Sequence, residues 1–308
     1  MALELGCLEI KDVVFGQETT LDGTTLVIDR GTLRDALQTQ DDRIQSVDLA
    51  LAKPGQSTRI LCVKDVIEPR CKVHGDIAGE GRSHILRNVA VVTCGKIVGF
   101  QEGIIDMSGA GAAYSPFSQT LNVVLEIEVV PDLPSHEHEE VVRLAGLTAA
   151  TLLANTAKDA IPPELETYEA VDVVGEASKL PRVAYVYMLL SQGLLHDTYV
   201  LGRNAKEGLP CTIPSLVLMD GAINSGNCVS ACDKNTTYHH QNNPVLRELY
   251  QRHAKDLNFA GVVVTNEPVR LAAKKESAQR AVELVQTLKA NAAIITKEGF
   301  GNPDTDQM

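Results

Sequence analysis

Residues Val183–Leu190 read VAYVYMLL, and two similar runs follow, FAGVVVT at Phe259–Thr265 and AAIIT at Ala292–Thr296. Each is short, apolar and rich in β-branched or aromatic residues, as in strands buried on both faces. Between them the period changes. Val245–Lys255 is an amphipathic helix opened by Asn243–Pro244, and Ala272–Leu288 is a second helix. Strand, helix, strand, helix, strand at this spacing predicts right-handed crossovers and a parallel, Rossmann-like sheet. Thr212–Met219 is expected as a further strand. Ligands of open α/β sheets collect at the carboxyl ends of the strands. That rule singles out Gln192–Thr198 (QGLLHDT), Asp220–Asn235 and Glu298–Asp306 (EGFGNPDTD).

Upstream the chain is strand-rich. Leu8–Phe15, Thr25–Ile28, Ile60–Val66, Asn88–Val98 and Leu121–Val130 alternate or carry β-branched residues between turn signals. A helix is expected over Leu133–Asn155, with Val141, Leu144, Ala145, Thr148 and Leu152 on one face. Ala160–Lys179, rich in Pro, Glu and Asp, is the expected boundary. The expectation is therefore an α/β chain in two parts: a strand-rich mixed α+β domain over 1–179, and a parallel-sheet domain over 180–308.

The 308 residues are 44% hydrophobic, enough for a large core, and carry a formal net charge of −12. Such acidity argues against nucleic acid or an anionic membrane as the main partner. Trp is absent and aromatics are 4%, so stacking platforms for single strands are scarce. The opening MALELGCLEIKDVVFG is not read as a signal peptide, because Glu4, Glu9 and Lys11 interrupt it. No apolar run approaches the ~20 residues of a spanning helix. Seven scattered cysteines do not form a disulfide framework, so a reducing cytoplasm is expected.

The chemistry-bearing stretch is SGNCVSACDKN, Ser225–Asn235, where Cys228 and Cys232 stand four apart. Cys228, Cys232, His239 and His240 could supply zinc ligands, though the spacing is loose and adjacent histidines diverge. As a thioredoxin-like dithiol the pair has one residue too many. SHEHEE (Ser135–Glu140) is read as a solvated helix start, because His136 and His138 cannot share one helix face. Ser108–Ala112 lacks the spacing and lysine of a phosphate loop and is read as a tight turn. Backbone self-cleavage is a further reading. The Cys228 thiol would attack the Asn227 carbonyl from a junction loosened by Gly226–Asn227. On spacing alone a small buried cysteine in a turn leads it.

Longer strings narrow the choice. KDVIEPR (Lys64–Arg70), GKIVGFQEGIIDMSG (Gly95–Gly109), VAYVYMLLSQGLLHDTY (Val183–Tyr199), MDGAINSGNCVSACDKN (Met219–Asn235) and EGFGNPDTD (Glu298–Asp306) resemble component B proproteins of glycine, sarcosine and betaine reductases. The resemblance runs from the first residues to the last. It implies cleavage at an internal cysteine into two fragments that stay together, the new amino terminus bearing a pyruvoyl group. It implies assembly with a selenocysteine-containing subunit, and a small amino-acid or methylamine substrate whose amine condenses with the pyruvoyl carbonyl. A selenolate then displaces the nitrogen. Betaine, with a quaternary nitrogen, would have to use the pocket differently. Chains of the family also continue into a further C-terminal region beyond the point matching NPDTDQM.

Carried onto this sequence, Cys228 matches the pyruvoyl precursor, with Asn227 on the other side of the junction and Cys232 as the alternative. His196 and Asp197 are candidates for proton transfer. For Asp197 the competing reading is a cap on a helix starting at Thr198. The chain carries no recognisable nicotinamide or flavin fingerprint, so nucleophile and electrons are expected from another polypeptide in a hetero-oligomer. The competing hypothesis is an uncleaved, non-catalytic scaffold that holds the selenoprotein subunit, and a zinc site at Cys228 and Cys232 is the third.

Overall fold

The computed structural model describes residues 2–97, 103–171, 179–192, 197–226, 234–299 and 301–308. The first half runs β1 (Ala2–Glu9), β2 (Asp12–Phe15), β3 (Thr20–Asp22), β4 (Thr25–Ile28), α1 (Arg30–Gln40), β5 (Ile44–Ala52), β6 (Arg59–Ile67), β7 (Arg70–His74), β8 (Gly81–Arg87), β9 (Val89–Cys94), β10 (Gly103–Asp106), β11 (Leu121–Val129) and α2 (Ser135–Asn155). Then come β12 (Glu164–Glu169), β13 (Arg182–Leu189), β14 (Thr198–Val200), β15 (Arg203–Asn204), β16 (Cys211–Ile213), α3 (Ser215–Met219), β17 (Ile223–Ser225), α4 (Thr237–Gln241), α5 (Pro244–Arg252), β18 (Asn258–Asn266), α6 (Leu271–Thr287), β19 (Ala292–Thr296) and α7 (Asn302–Gln307).

The result is a mixed α/β protein with several mixed sheets. One sheet has the order β12-β1-β8-β7, another β10-β6-β9-β11-β5. Only the β1–β8 and β9–β11 pairings in them are parallel. The expected strand at Leu8–Phe15 is in fact the end of β1, a two-residue break and then β2. Part of the expected boundary, Glu164–Glu169, is a strand laid antiparallel on β1.

α2 covers the second sheet with the small or branched side chains Val141, Ala145, Ala149 and Leu153, spaced four apart, and Val142 beside them. Gly146 lets it approach closely: a Cβ there would lie 2.5 Å from Thr93 Cγ2 and 3.0 Å from Ile67 Cδ1.

The sheet expected from VAYVYMLL is present with the order β16-β18-β13-β19. β13 pairs in parallel with both β18 and β19. Its residues alternate between two cores. Tyr185, Tyr187 and Leu189 join a cluster with Leu3, Leu5 and Ile85 of the first sheet, while Val186 and Met188 pack against Ala281 and Leu284 of α6. Both faces are covered, so the strand reads as one continuous apolar run.

The sheet is not wholly parallel, however. The expected strand Thr212–Met219 splits at Pro214 into the short edge strand β16, antiparallel to β18, and the helix α3. Proline fixes φ and lacks an N–H, so it ends pairing there and opens a helix. No helix among the described residues is long and apolar enough to cross a membrane.

Candidate active site

The carboxyl ends of β13, β18 and β19 lie side by side, and each is followed by a buried polar group: Ser191, Glu267 and Glu298 respectively. The Asp220–Asn235 segment reaches this edge by an unexpected route. It follows α3 rather than a parallel strand, and β17 then pairs antiparallel with β14, setting Thr198 opposite Ser225. The Gly226 N–H donates to the Asp197 carbonyl at 2.8 Å. Asn227, Cys228, Cys232 and His196 lie outside the described residues. Gly226 and Lys234 are the described residues on either side of 227–233.

Both flanks are clamped. The Lys234 ammonium donates to the Asp197 carbonyl and approaches the Gly226 carbonyl at 3.4 Å. The Asn235 N–H donates to Glu298 Oε1 at 2.9 Å, and the Leu190 N–H donates to Glu298 Oε2 at 2.7 Å. One step further, Thr237 donates from its backbone N–H (2.8 Å) and its hydroxyl (2.6 Å) to the Asp65 carboxyl. The same hydroxyl accepts from the Ser225 N–H at 2.9 Å. Thr236, as N-cap of α4, accepts from the His239 N–H and so fixes the exit of the stretch.

The electrostatics follow from burial. Glu298 is buried and its carboxyl is pushed up by loss of solvent, against the pull of the Lys234 charge and the two N–H donors. Asp65 is raised to about 7, again by burial, opposed by its bonds from Thr237 and Val66. His240 is lowered to about 3 by burial, with the Lys234 and His239 charges acting in the same direction. It is therefore neutral: Nδ1 lies 2.6 Å from the Tyr187 hydroxyl and Nε2 3.5 Å from Glu298 Oε1. A buried acid kept protonated can donate as well as accept.

Asp197 is not a helix cap, because Thr198 begins a strand. Its carboxylate is buried and paired with Lys206, and His136 Nδ1 lies 3.7 Å away. Burial alone would raise it, but the Lys206 hydrogen bond and charge, together with Asn204 and Lys234, hold it below the usual carboxylate range. The salt bridge to Lys206 favours the ionised form of Asp197.

The SHEHEE segment is not a simple solvated start either. Glu139 is only 1% exposed. It accepts from Arg143 Nε at 3.0 Å and from the Tyr199 hydroxyl at 3.3 Å. A Cβ on Gly226 would come within 3.3 Å of its Oε1 and 2.5 Å of the Asp197 carbonyl oxygen. Glycine is required at 226 because two elements close on it. His239 and His240 serve different partners, a helix cap and Tyr187, so they do not converge as a ligand pair. Among the described residues no group of three or more His, Cys, Asp or Glu is arranged to hold a metal ion.

A cavity of about 760 Å³ opens beside the clamp, with Ser191, Lys206, Asn266 and Glu267 in its wall. Asp65, Glu139 and Glu267 are not legible as site residues from spacing; Lys234 and Glu298 fall in loops that the strand-end rule singles out without being marked individually, and His240 reads only as a possible zinc ligand. They come from distant segments, and only the pairing of β17 with β14 and the parallel core bring them together. Several do fall inside the strings that carry the family resemblance, and this was the available signal.

Geometry and sequence together define a mixed α/β protein in which Gly226 and Lys234 are held at the carboxyl edge of a parallel strand core. A family model described as glycine/sarcosine/betaine reductase component B subunits matches residues 1–308. The chain is 49% identical to the glycine reductase complex component B subunits alpha and beta of Acetoanaerobium sticklandii, covering 99% of this chain and 74% of that one. It is 50% identical to the sarcosine reductase complex component B subunit alpha of Peptoclostridium acidaminophilum (100% and 75%). The betaine reductase complex component B subunit alpha of the same organism is 36% identical (99% and 74%). No solved structure matches. The chain belongs to the glycine/sarcosine/betaine reductase component B family and is a subunit of an oxidoreductase of that kind.

Proposed function

We propose that this chain is the substrate-binding, pyruvoyl-forming subunit of a cytoplasmic reductase that cleaves the C–N bond of glycine, sarcosine or betaine together with a selenocysteine subunit. The carrying observation is the double clamp, Gly226 and Lys234 on Asp197 and Asn235 on Glu298, which holds both ends of the stretch containing Cys228 beside a cavity. Family membership supports the substrate class. The relative named for two subunits, alpha and beta, in one chain fits internal cleavage.

Maturation would begin with the Cys228 thiol attacking the Asn227 carbonyl, exchanging the C–N bond for C–S. Loss of the Cys228 α-proton expels the thiocarboxylate and leaves dehydroalanine, and water then releases ammonia to leave the pyruvoyl end. The surroundings suit this. Lys234 places a cation among the carbonyls that precede the junction, and the buried Glu298 carboxyl lies at its far side, close to neutral His240. Once formed, a pyruvoyl group supplies an electrophilic carbonyl to an amine. Asp197 and Lys206 orient the near side, Glu139 seals it, and the cavity admits the small substrate. Among the described cysteines, Cys7, Cys71 and Cys94 are buried thiols raised by loss of solvent, poor nucleophiles, so the displacing selenolate and its electrons belong to a partner.

The test is intact mass spectrometry of the freshly purified chain co-expressed with its partner. Two fragments meeting at Asn227/Cys228 are expected, with Cys228→Ala giving one intact chain and Cys232→Ala still cut. Cleavage persisting in Cys228→Ala overturns the assignment, and one uncleaved species that still binds the partner supports a scaffold instead.

A further inference from the structure

Glu267 follows the last residue of β18 and is fully buried, yet neither carboxyl oxygen has a hydrogen-bond partner among the described residues. Its backbone is fixed instead: the Glu267 N–H donates to Ser191 Oγ at 3.0 Å, tying the ends of β18 and β13 together. A buried carboxyl without partners is costly and persists where a ligand completes it.

Glu267 is one of the residues lining the 760 Å³ cavity, with its carboxyl buried behind the cavity surface. That wall touches both halves of the clamp. Lys206 lines it and pairs with Asp197, whose carbonyl holds Gly226. Ser191 lines it too and lies next to Leu190, whose N–H is bound by Glu298, the residue that also holds Asn235.

The surrounding charge gives the carboxyl its character. Burial is the main influence, and the Glu298 and Asp306 carboxyls add repulsion. Lys297 and Lys274 oppose them, but each has another partner, Asp304 and Asp306 respectively. The net effect raises Glu267 to about 8. Elsewhere in the wall are the cations Lys206 and Arg280 and the acids Glu276 and Glu283. The cavity thus offers one unengaged acid deep in its wall and cationic groups around it, a pattern complementary to a small zwitterion.

We propose that Glu267 receives the positively charged nitrogen of a small zwitterionic amine in this cavity, with its carboxylate toward Lys206 and Arg280, which it would share with their partners Asp197 and Glu283. The inference rests on the substrate class proposed above but not on cleavage, because noncovalent binding precedes any chemistry at residue 228. Binding converts Glu267 from the acid to the carboxylate and releases its proton to solvent.

The experiment uses the full chain carrying Cys228→Ala, so that maturation cannot contribute. Betaine, whose nitrogen carries no proton, glycine, and the nitrogen-free propionate are titrated calorimetrically in buffers of different ionisation enthalpy. Betaine or glycine binding is expected at pH 7 with release of close to one proton per ligand. Betaine affinity should rise about 20-fold between pH 6.5 and 8.5, following ionisation of a group near 8. In the same background Glu267→Gln should weaken betaine by about tenfold or more and abolish the proton release, while propionate is unchanged.

Three results overturn the proposal: no amine binding by the parent chain, propionate bound as well as betaine, or unchanged betaine affinity in Glu267→Gln. The proton release is read in the chain with Glu267 intact, so the proposal stays testable even where Glu267→Gln folds poorly. A cleaved wild-type chain with no amine binding would reject this inference alone, and an uncleaved chain with Glu267-dependent binding would reject only the maturation reading.

Discussion

The Lys234 side chain spans the two ends of the stretch that contains Cys228: it bonds the Asp197 carbonyl and stands 3.4 Å from the Gly226 carbonyl. A single cation thereby ties the strand end before residues 227–233 to the residue that follows them. Removing that cation leaves carbonyls short of a donor, at a cost of about 1–3 kcal/mol. Lys234→Met is expected to fold, melt a few degrees lower and process at least about tenfold more slowly, since loss of positioning is felt in rate before stability. Time-resolved intact mass after denaturant refolding reads both. A processing rate equal to wild type would show that the clamp is dispensable.

Gly226→Ala tests the same junction from the steric side. The added methyl would lie 2.5 Å from the Asp197 oxygen, and only a backbone shift relieves that contact. Overpacking of this kind costs about 1–3 kcal/mol. The Gly226–Asp197 hydrogen bond is expected to be lost, seen as faster amide exchange at Gly226 or its neighbours, and cleavage should fall with it. Gly31→Ala is the control, because its added methyl meets nothing closer than Asp29 Oδ1 at 3.4 Å.

The part of this arrangement that sequence makes legible is the part built by local pattern. β13 and β18 are covered on both faces, so their apolar runs stand out, whereas β19 is an edge strand whose Ile294 and Ile295 are exposed despite the same apolar pattern. α2 and α6 are legible as helices, but the expected α2 face is displaced, with Leu144 and Leu152 exposed and Val142, Ala149 and Leu153 buried in their place. Thr212–Met219 misleads because a short apolar run does not distinguish strand from helix, and Pro214 divides it between the two. SHEHEE misleads for another reason. Acidic residues near a helix start are ordinarily solvated, and Glu139 is buried where Arg143 bonds it and Tyr199 and Gly226, distant in the chain, close over it. Asp65 carries no spacing signal, and Lys234 and Glu298 carry only that of the strand-end loops they sit in. Their convergence depends on strand pairing that no local window contains.

His240 gives a pH signature with a definite sign. Its neutral form is favoured in the fold, with a value near 3 against an ordinary 6.5. Between these values the unfolded chain binds the proton and the fold does not, so stability is complete above pH 6.5 and falls as pH drops toward 3. From pH 6.5 to 5 this one group costs about 2 kcal/mol. His240→Asn should be less stable at pH 7, having lost the 2.6 Å Tyr187 contact, yet show a shallower acid limb by about that amount. Urea midpoints at pH 5 and 7 decide it. Parallel limbs in the two proteins would mean that His240 does not carry the acid sensitivity.

Thr237 is one residue through which the first half of the chain reaches the site, beside Glu139. Its hydroxyl donates to Asp65 Oδ2 at 2.6 Å and accepts from the Ser225 N–H at 2.9 Å, and its backbone N–H reaches Asp65 Oδ1 at 2.8 Å. Thr237→Val keeps shape and backbone but removes one donor and one acceptor in a fully buried place, so both the Asp65 carboxyl and the Ser225 N–H lose a partner. Each orphaned group costs about 1–3 kcal/mol, and a loss of about 2–5 kcal/mol is expected. Thr237→Ser, which restores the hydroxyl, should recover most of it. Asp65 sets the pH dependence of that loss. Its folded value near 7 lies above its ordinary 3.8, so its contribution is complete below 3.8 and declines as pH rises through 7. Removing the hydroxyl takes away a bond that lowers Asp65, so the Thr237→Val deficit should be larger at pH 8 than at pH 5.5. Denaturant midpoints of the three proteins at those two values provide the measurement. A deficit independent of pH would place the cost in the Ser225 N–H alone and remove Asp65 from the coupling between the two halves of the chain.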